Sequence, residues 1–235
     1  MNKKERYYRN AEAFSWLEMA TIREKSVCVI GCGGLGGYVC HTLTRFGIGS
    51  LTLVDGDVFS ENNLNRQLFA TMQTLGQNKA MVTQQALTLI NPDVEITAQP
   101  VMLTQENLMQ ILPGHHLAID CLDSISSRIT LVKGCAALDL PMIHGAIAGF
   151  HGQVATIFPG SALLDLLYPV ISEGAGSLEN KSGNPAFTPQ LVAALQCSEA
   201  LKFLAGRGNV RQNSVLYVDL LNNCFETVDY TSVLA

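Results

Sequence analysis

Four consecutive apolar residues, Val27-Cys28-Val29-Ile30, run straight into Gly31-Cys32-Gly33-Gly34-Leu35-Gly36-Gly37, and this junction constrains the fold more than any other stretch. A short, wholly apolar run is what a strand buried on both faces shows. The spacing Gly31-x-Gly33-x-x-Gly36 then provides a tight turn, an accessible backbone and close helix–strand packing, at a helix N-terminus that attracts an anion. Leu35, Val39, Leu43 and Phe46 recur at helical spacing, and Gly47 and Gly49 stop the helix. Leu51-Thr52-Leu53-Val54 reads as a second strand, closed by Asp55. Strand, glycine loop, helix, strand and acid are the opening of a doubly wound, Rossmann-like α/β fold with a mostly parallel sheet.

The alternation continues. Residues 79–90 carry a helical stripe at Val82, Ala86, Leu89 and Ile90, stopped by Asn91-Pro92. Residues 94–98 read as extended and 117–122 as a buried strand, followed by a helix over 126–138 and a strand over 142–145. Past Gly149 the pattern changes: 153–158 and 214–220 read as strands without an intervening βα rhythm, which predicts an antiparallel extension of the sheet. Between them, 172–185 is rich in Gly, Ser, Asn and Glu and reads as a mobile loop, and a helix over 189–204 ends at Gly206. Ahead of everything, residues 6–22 place Ala13, Phe14, Leu17 and Ala20 at helical spacing, which predicts one or two short helices packed outside the domain.

The 235 residues, 48% of them apolar, suffice for one large domain spanning 1–235. Within it, 1–26 is expected as a helical segment, 27–148 as the nucleotide-binding half and 149–235 as the antiparallel half. A net charge of −5 without a basic stripe argues against a nucleic-acid binder. No apolar run reaches the roughly 20 residues of a membrane span, and the polar start lacks a secretory apolar core. The cysteines at 28, 32, 40, 121, 135, 197 and 224 form no Cys-x-x-Cys pair, which points to a reducing, cytoplasmic compartment.

Asp55 stands where such folds place a carboxylate for ribose hydroxyls, with an ordinary surface acid as the competing reading. To this point NAD and ATP fit equally well. The residues beyond Asp55 separate them: Asp57, Asn63, Arg66, Gln67 and Lys79 bring two cations to where phosphates leave the glycine loop. Taken singly, Arg66 can equally pair with Asp57 or Glu61, and Lys79 reads as an exposed helix-start lysine. Asp123 lies just past the fourth strand, where it can reach Mg²⁺ carried by a nucleotide or cap the next helix. Asp120, inside the apolar run, reads as hydrogen-bonded in place. The histidines at 41, 115, 116, 144 and 151 share no ligand spacing and read as structural.

Several motifs then occur in order: Gly-Cys-Gly-Gly-Leu-Gly at 31–36, Leu-Thr-Leu-Val-Asp-Gly-Asp at 51–57, Asn-Asn-Leu-Asn-Arg-Gln at 62–67, Gly-Gln-Asn-Lys-Ala at 76–80, Asp-Cys-Leu-Asp at 120–123 and Glu-Ala-Leu-Lys at 199–202. Together they resemble the ThiF/MoeB/HesA family, which activates ubiquitin-like sulfur carriers, over nearly the whole chain. The resemblance implies that the glycine loop with Gly31, Gly33, Gly34, Leu35 and Gly36 cradles ATP, that Asp55 holds its ribose and that Asp57 belongs to the same nucleotide site. It implies Asn63, Arg66, Gln67 and Lys79 around the phosphates and Asp123 on Mg²⁺. Arg6-Tyr7-Tyr8-Arg9 is similar to the family's N-terminal Arg-Tyr-x-Arg, which implies a homodimer with Arg9 acting in the partner's site. The implied reaction transfers AMP to the C-terminal glycine carboxylate of a carrier, in molybdenum or tungsten cofactor, thiamine or related sulfur metabolism.

Two departures from the family stand out. Where sulfur-carrier members place the first zinc-binding Cys-x-x-Cys pair, residues 161–169 hold no cysteine, and no second pair follows, so zinc is not expected. The segment 172–185 also lacks a cysteine for thioester or persulfide chemistry, which leaves adenylation as the expected activity. Two other readings compete. One is a docking module that binds nucleotide or carrier without turnover; the other is an NAD-dependent oxidoreductase, resting on the glycine loop alone.

Overall fold

The computed structural model describes residues 4–169, 182–210 and 212–234. One eight-stranded sheet in the order β3-β2-β1-β4-β5-β6-β7-β8 organises it. Its parallel part comprises β1 (Ser26–Ile30), β2 (Ser50–Val54), β3 (Glu95–Gln99), β4 (Leu117–Asp120) and β5 (Met142–Ala148). β6 (His151–Ile157), β7 (Ser214–Asp219) and β8 (Cys224–Asp229) extend it antiparallel. The expected class, a mostly parallel α/β sheet with an antiparallel C-terminal extension, is therefore observed. The sequence reading missed β8, an edge strand whose residues are nearly all exposed and carry no burial pattern.

The two faces of the sheet carry separate cores. On one, Val27, Val29, Leu51, Leu53, Leu117, Ile119 and Ile143 pack against α1 (Trp16–Ile22), α2 (Gly36–Phe46), α3 (Lys79–Ile90) and α7 (Phe187–Ala205). On the other, Cys28, Ile30, Val54, Ala118 and Met142 meet α4 (Leu108–Ile111), α5 (Ile125–Ala137) and α6 (Leu163–Leu167). Strands covered on both faces need apolar residues at every position, which is why β1 and β4 are buried almost throughout. A short helix, α8 (Thr231–Leu234), closes the chain.

The N-terminal segment folds as a 3₁₀ turn over Glu5–Asn10 followed by α1, which starts only where Ser15 and Glu18 form a reciprocal capping box. That start shifts the buried face. Met19 and Ile22 are buried, while Leu17, expected on the apolar stripe, is 78% exposed. A similar correction applies to α3, where Ala80, Val82, Thr83 and Leu87 face inward and Leu89 is 88% exposed. In both helices the side that turns inward, towards α7 for α1 and towards the sheet for α3, was decided by packing, not by the best-fitting apolar period. Helix α7 ends at Gly206 in the left-handed conformation, as its C-terminal glycine predicts. Most of the loop expected over 172–185 lies outside the described residues.

Candidate active site

A cleft of about 680 Å³ opens at the C-terminal ends of β1, β2 and β4. β2 and β4 lie on opposite sides of β1, so this is the point where the chain reverses direction across the sheet and where such folds bind ligands. Of the residues singled out from sequence, Gly31, Gly33, Gly34, Leu35, Asp55, Asp57, Arg66, Gln67, Lys79 and Asp123 line it. Gly36, Asn63 and Arg9 do not.

The glycines divide their work. A side chain at Gly36 would place its Cβ 1.7 Å from the Gly31 carbonyl oxygen, so this position exists to let α2 abut the loop. At Gly33 and Gly34, which both line the cleft, a Cβ would meet only the side chains of Gln67, Arg66 and Pro189, at 3.5 Å or more. Helix α2 has no side-chain cap, so its first N–H groups and the positive end of its dipole point at the same space.

Asp55 is held from two sides. Cys32 N–H donates to Oδ2 at 2.7 Å and Asp57 N–H to Oδ1 at 2.8 Å, which ties the end of β2 to the glycine loop. Burial pushes its carboxyl pKa up, against the pull of these two N–H bonds and of Lys79. Each oxygen keeps a further lone pair for a hydroxyl. Lys79, expected as an exposed helix-start residue when taken singly, is instead 8% exposed. Its Nζ lies 3.2 Å from Asp57 Oδ2, while its neighbour Asn78 caps α3 and donates to the carbonyls of Asp55 and Asp57. This short turn therefore presents a cation at a fixed place.

Arg66 forms neither of the ion pairs weighed for it. Nη1 donates to the Asn62 carbonyl at 3.0 Å and to Asn65 Oδ1 at 2.8 Å, which leaves its charge uncompensated by a carboxylate among the described residues. Asn63 is buried and receives the Ser60 N–H at 3.0 Å, and its carbonyl accepts from both Arg66 and Gln67 N–H. Asn63 thus shapes the turn that carries these two residues. Gln67 lines the cleft, and its Oε1 is buried without a hydrogen-bond partner among the described residues.

The second wall is built from β4, β5, β6, α5 and α6. Asp120 is wholly buried and, as expected, hydrogen-bonded in place: Oδ2 accepts from His144 Nδ1 at 2.7 Å and Oδ1 from Leu122 N–H at 3.0 Å. Arg128 Nε stands 3.7 Å from Oδ2, while Nη1 donates to the Tyr168 hydroxyl and Nη2 to the Leu122 carbonyl. His144 Nε2 lies 3.2 Å from both the Tyr168 hydroxyl and Gln153 Nε2. Burial holds the His144 pKa below its usual 6.5, against the opposing pull of Asp120, so the ring is neutral at pH 7. Arg128 and Tyr168 line the cleft and went unnoticed in the sequence. One signal existed: Asp120 and His144 are polar residues at the same level of two apolar strands, and a buried carboxylate requires a donor. Asp123 is exposed at the mouth, with no hydrogen bond or ion pair to its carboxylate among the described residues. Ser124, not Asp123, caps α5.

Six of the seven cysteines are buried. Burial pushes thiols such as Cys135 and Cys197 up to about 12, so they stay protonated and pack as small apolar groups. Cys224 is exposed on β8.

An open glycine loop, a carboxylate at the end of β2 and two cations at the switch point of a doubly wound sheet are the features of a nucleotide-binding α/β protein. The chain belongs to the ThiF family, which it matches over residues 7–232. It is 31% identical over 206 residues to the SAMP-activating enzyme E1 of Haloferax volcanii, a match covering 87% of this chain and 76% of that one. It is 34% identical over 212 residues to the sulfur carrier protein adenylyltransferase of Thermus thermophilus, covering 87% of this chain and 78% of that one. The crystal structure of Escherichia coli MccB with ATP has the same fold, with a TM-score of 0.80 at 19% identity over 96% of this chain and 71% of that one. The family resemblance carried by the motifs is thereby borne out, and these relatives are named an activating enzyme and an adenylyltransferase, not oxidoreductases.

Proposed function

We propose that this chain adenylates the C-terminal glycine carboxylate of a ubiquitin-like sulfur-carrier protein at the expense of ATP. The observation that carries the reading is the convergence of Arg66, Lys79 and the uncapped α2 N-terminus on one cleft, where they match a polyphosphate and little else. The carrier carboxylate, with a reference pKa of about 3.5, is ionised at neutral pH and needs no base. One of its oxygens attacks the α-phosphorus of ATP, the bond to the β-phosphate's bridging oxygen breaks, and pyrophosphate leaves with the electron pair. The chain's task is to bring two anions together and to stabilise the charge on the leaving group. Arg66 and Lys79 do this on the phosphates, with Gln67 beside them, and Asp55 orients the ribose.

Asp123 is the residue suited to hold Mg²⁺: it is exposed at the mouth, unpaired among the described residues, and separated from the buried Asp120 pair. The ion would supply charge neutralisation at the phosphates when bound. In the same reading no zinc is required, the protein works in a reducing compartment, and the active form is a homodimer. Support for the last point comes from where Arg9 lies. The turn over Glu5–Asn10 is pinned at the far end of α2: Tyr7 fills the space beside Gly47, and its hydroxyl accepts from Asn91 Nδ2 at 2.8 Å. That is roughly 16 Å of helix from the glycine loop at 1.5 Å per residue. Arg9 is exposed there and serves a partner's cleft, not its own.

Carrier-dependent exchange of labelled pyrophosphate into ATP tests the proposal. Arg66→Ala is expected to lower the exchange about 10²–10³-fold, the usual loss for one preorganised charge donor, while the fold persists. Undiminished exchange in that variant removes Arg66 from the reaction.

A further inference from the structure

His144 belongs to no motif, yet it sits at the centre of the most completely buried polar cluster among the described residues. Asp120 and His144 face each other across the β4–β5 pairing, both 0% exposed. A carboxylate so placed must spend its acceptors on protein donors. Asp120 Oδ2 takes the His144 Nδ1 proton at 2.7 Å, and Oδ1 takes the Leu122 N–H at 3.0 Å. The Leu122 carbonyl is held in turn by Arg128 Nη2. Both peptide groups of the residue before Asp123 are therefore clamped, one by Asp120 and the other by the guanidinium that leans on it. On its far side, the His144 ring is steadied by Tyr168 and Gln153 through Nε2.

We propose that His144 is a positioning residue for the nucleotide site: through Asp120 and Arg128 it fixes the Leu122 peptides and so aims the Asp123 carboxylate into the cleft. The inference rests on the adenylyltransferase reading and extends it to a residue that touches no reactant. Without a donor at Nδ1, Asp120 turns towards Arg128, the other cation beside it, and gives up the Leu122 N–H. The β4–α5 turn then relaxes by a fraction of an ångström to an ångström, enough to misplace a charged group by an amount that matters.

Two nearly isosteric variants separate positioning from bulk packing. His144→Asn places an amide N–H where Nδ1 stood, and His144→Gln places its amide where Nε2 stood. Calorimetric titration of the full chain with ATP is done once with excess Mg²⁺ and once with EDTA. His144→Gln is expected to bind ATP about tenfold more weakly than wild type with Mg²⁺ present, and equally well in EDTA. His144→Asn is expected to stay within about threefold of wild type in both. Equal Mg²⁺-dependent binding by His144→Gln and wild type overturns the inference, and so does a loss in His144→Asn as large as in His144→Gln. Should thermal melting show that His144→Gln does not fold, Arg128→Lys carries the same tenfold expectation, because its ammonium keeps the charge near Asp120 but not the bond to the Leu122 carbonyl. A wild-type protein that binds no ATP in either arm brings down the adenylyltransferase reading itself, whereas wild-type binding with an unaltered His144→Gln removes only the role of His144.

Discussion

The two walls of the cleft solve the same problem, holding charged groups still beside a ligand, in opposite ways. On the β2 side, Asp55, Asp57 and Lys79 are fixed by backbone: N–H groups of the glycine loop, a capping asparagine and the turn beyond the strand. Asp57 keeps 59% of its side chain in solvent, so its pair with Lys79 gains little and costs little. On the β4 side, Asp120, Arg128, His144, Gln153 and Tyr168 hold one another by side chains, and Asp120 and His144 have no exposure at all. A wall built on backbone tolerates loss of a side chain, whereas a buried mutual network does not, since each member removed strands its partners.

The sharpest way to break this contrast is Asp120→Ala. Removing the carboxylate leaves Arg128 charged and His144 without its acceptor, and the expected loss is about 3–5 kcal/mol of unfolding free energy, read from the shift in a urea or guanidinium transition. A loss below about 1 kcal/mol would put the two walls in the same class.

Gly36→Ala comes next. Its Cβ would collide with the Gly31 carbonyl at 1.7 Å, so the loop or α2 must move, at about 1–3 kcal/mol. Gly34→Ala, whose Cβ finds its nearest neighbours at 3.6–3.7 Å, should leave stability nearly unchanged and is the control in the same denaturation series.

The pH dependence of stability distinguishes the walls by sign. Burial lowers the His144 pKa in the folded chain, so below its unfolded value of about 6.5 the unfolded state binds a proton that the folded state refuses. Stability contributed by the neutral ring is thus present above pH 6.5 and lost as pH falls towards the folded value, with a slope approaching one proton, about 1.4 kcal/mol per pH unit. Asp55 runs the other way. Its raised pKa favours the protonated form in the folded state, so its contribution is present below the ordinary aspartate range and fades as pH rises through the folded value. Denaturation midpoints of wild type and His144→Asn between pH 5 and 7.5 check the first claim, because the variant should lose that slope. The smallest effect is expected for Lys79→Ala, which should change unfolding free energy by no more than about 1 kcal/mol and so show that its place in the cleft is not structural.

The β2-side wall was legible in residue order because its parts are close in the chain. Asp55 and Asp57 come directly after β2, Asn63 bends the backbone so that Arg66 and Gln67 emerge together, and Asn78-Lys79 opens the next helix. Each placement obeys local rules: a strand end, a turn, an N-cap. The parallel order and its antiparallel extension were readable for the same reason, through fully apolar runs that must be buried on both faces. Less local features were misjudged. Leu17 and Leu89 fit an apolar period yet face solvent, because which side of α1 and α3 turns inward depends on neighbours far along the chain.

Residue order alone therefore determined the class of fold, the glycine cradle and the cations beside it, since these depend on short-range geometry that the peptide backbone imposes. Only the tertiary structure decided that Asp120, Arg128, His144, Gln153 and Tyr168, drawn from three strands, one helix and the residue that ends another, form one network, and that Lys79 is buried beside Asp57. The reason is physical. Such contacts are set by strand register and by which helix face packs on the sheet, and both are collective outcomes of burying the two cores at once.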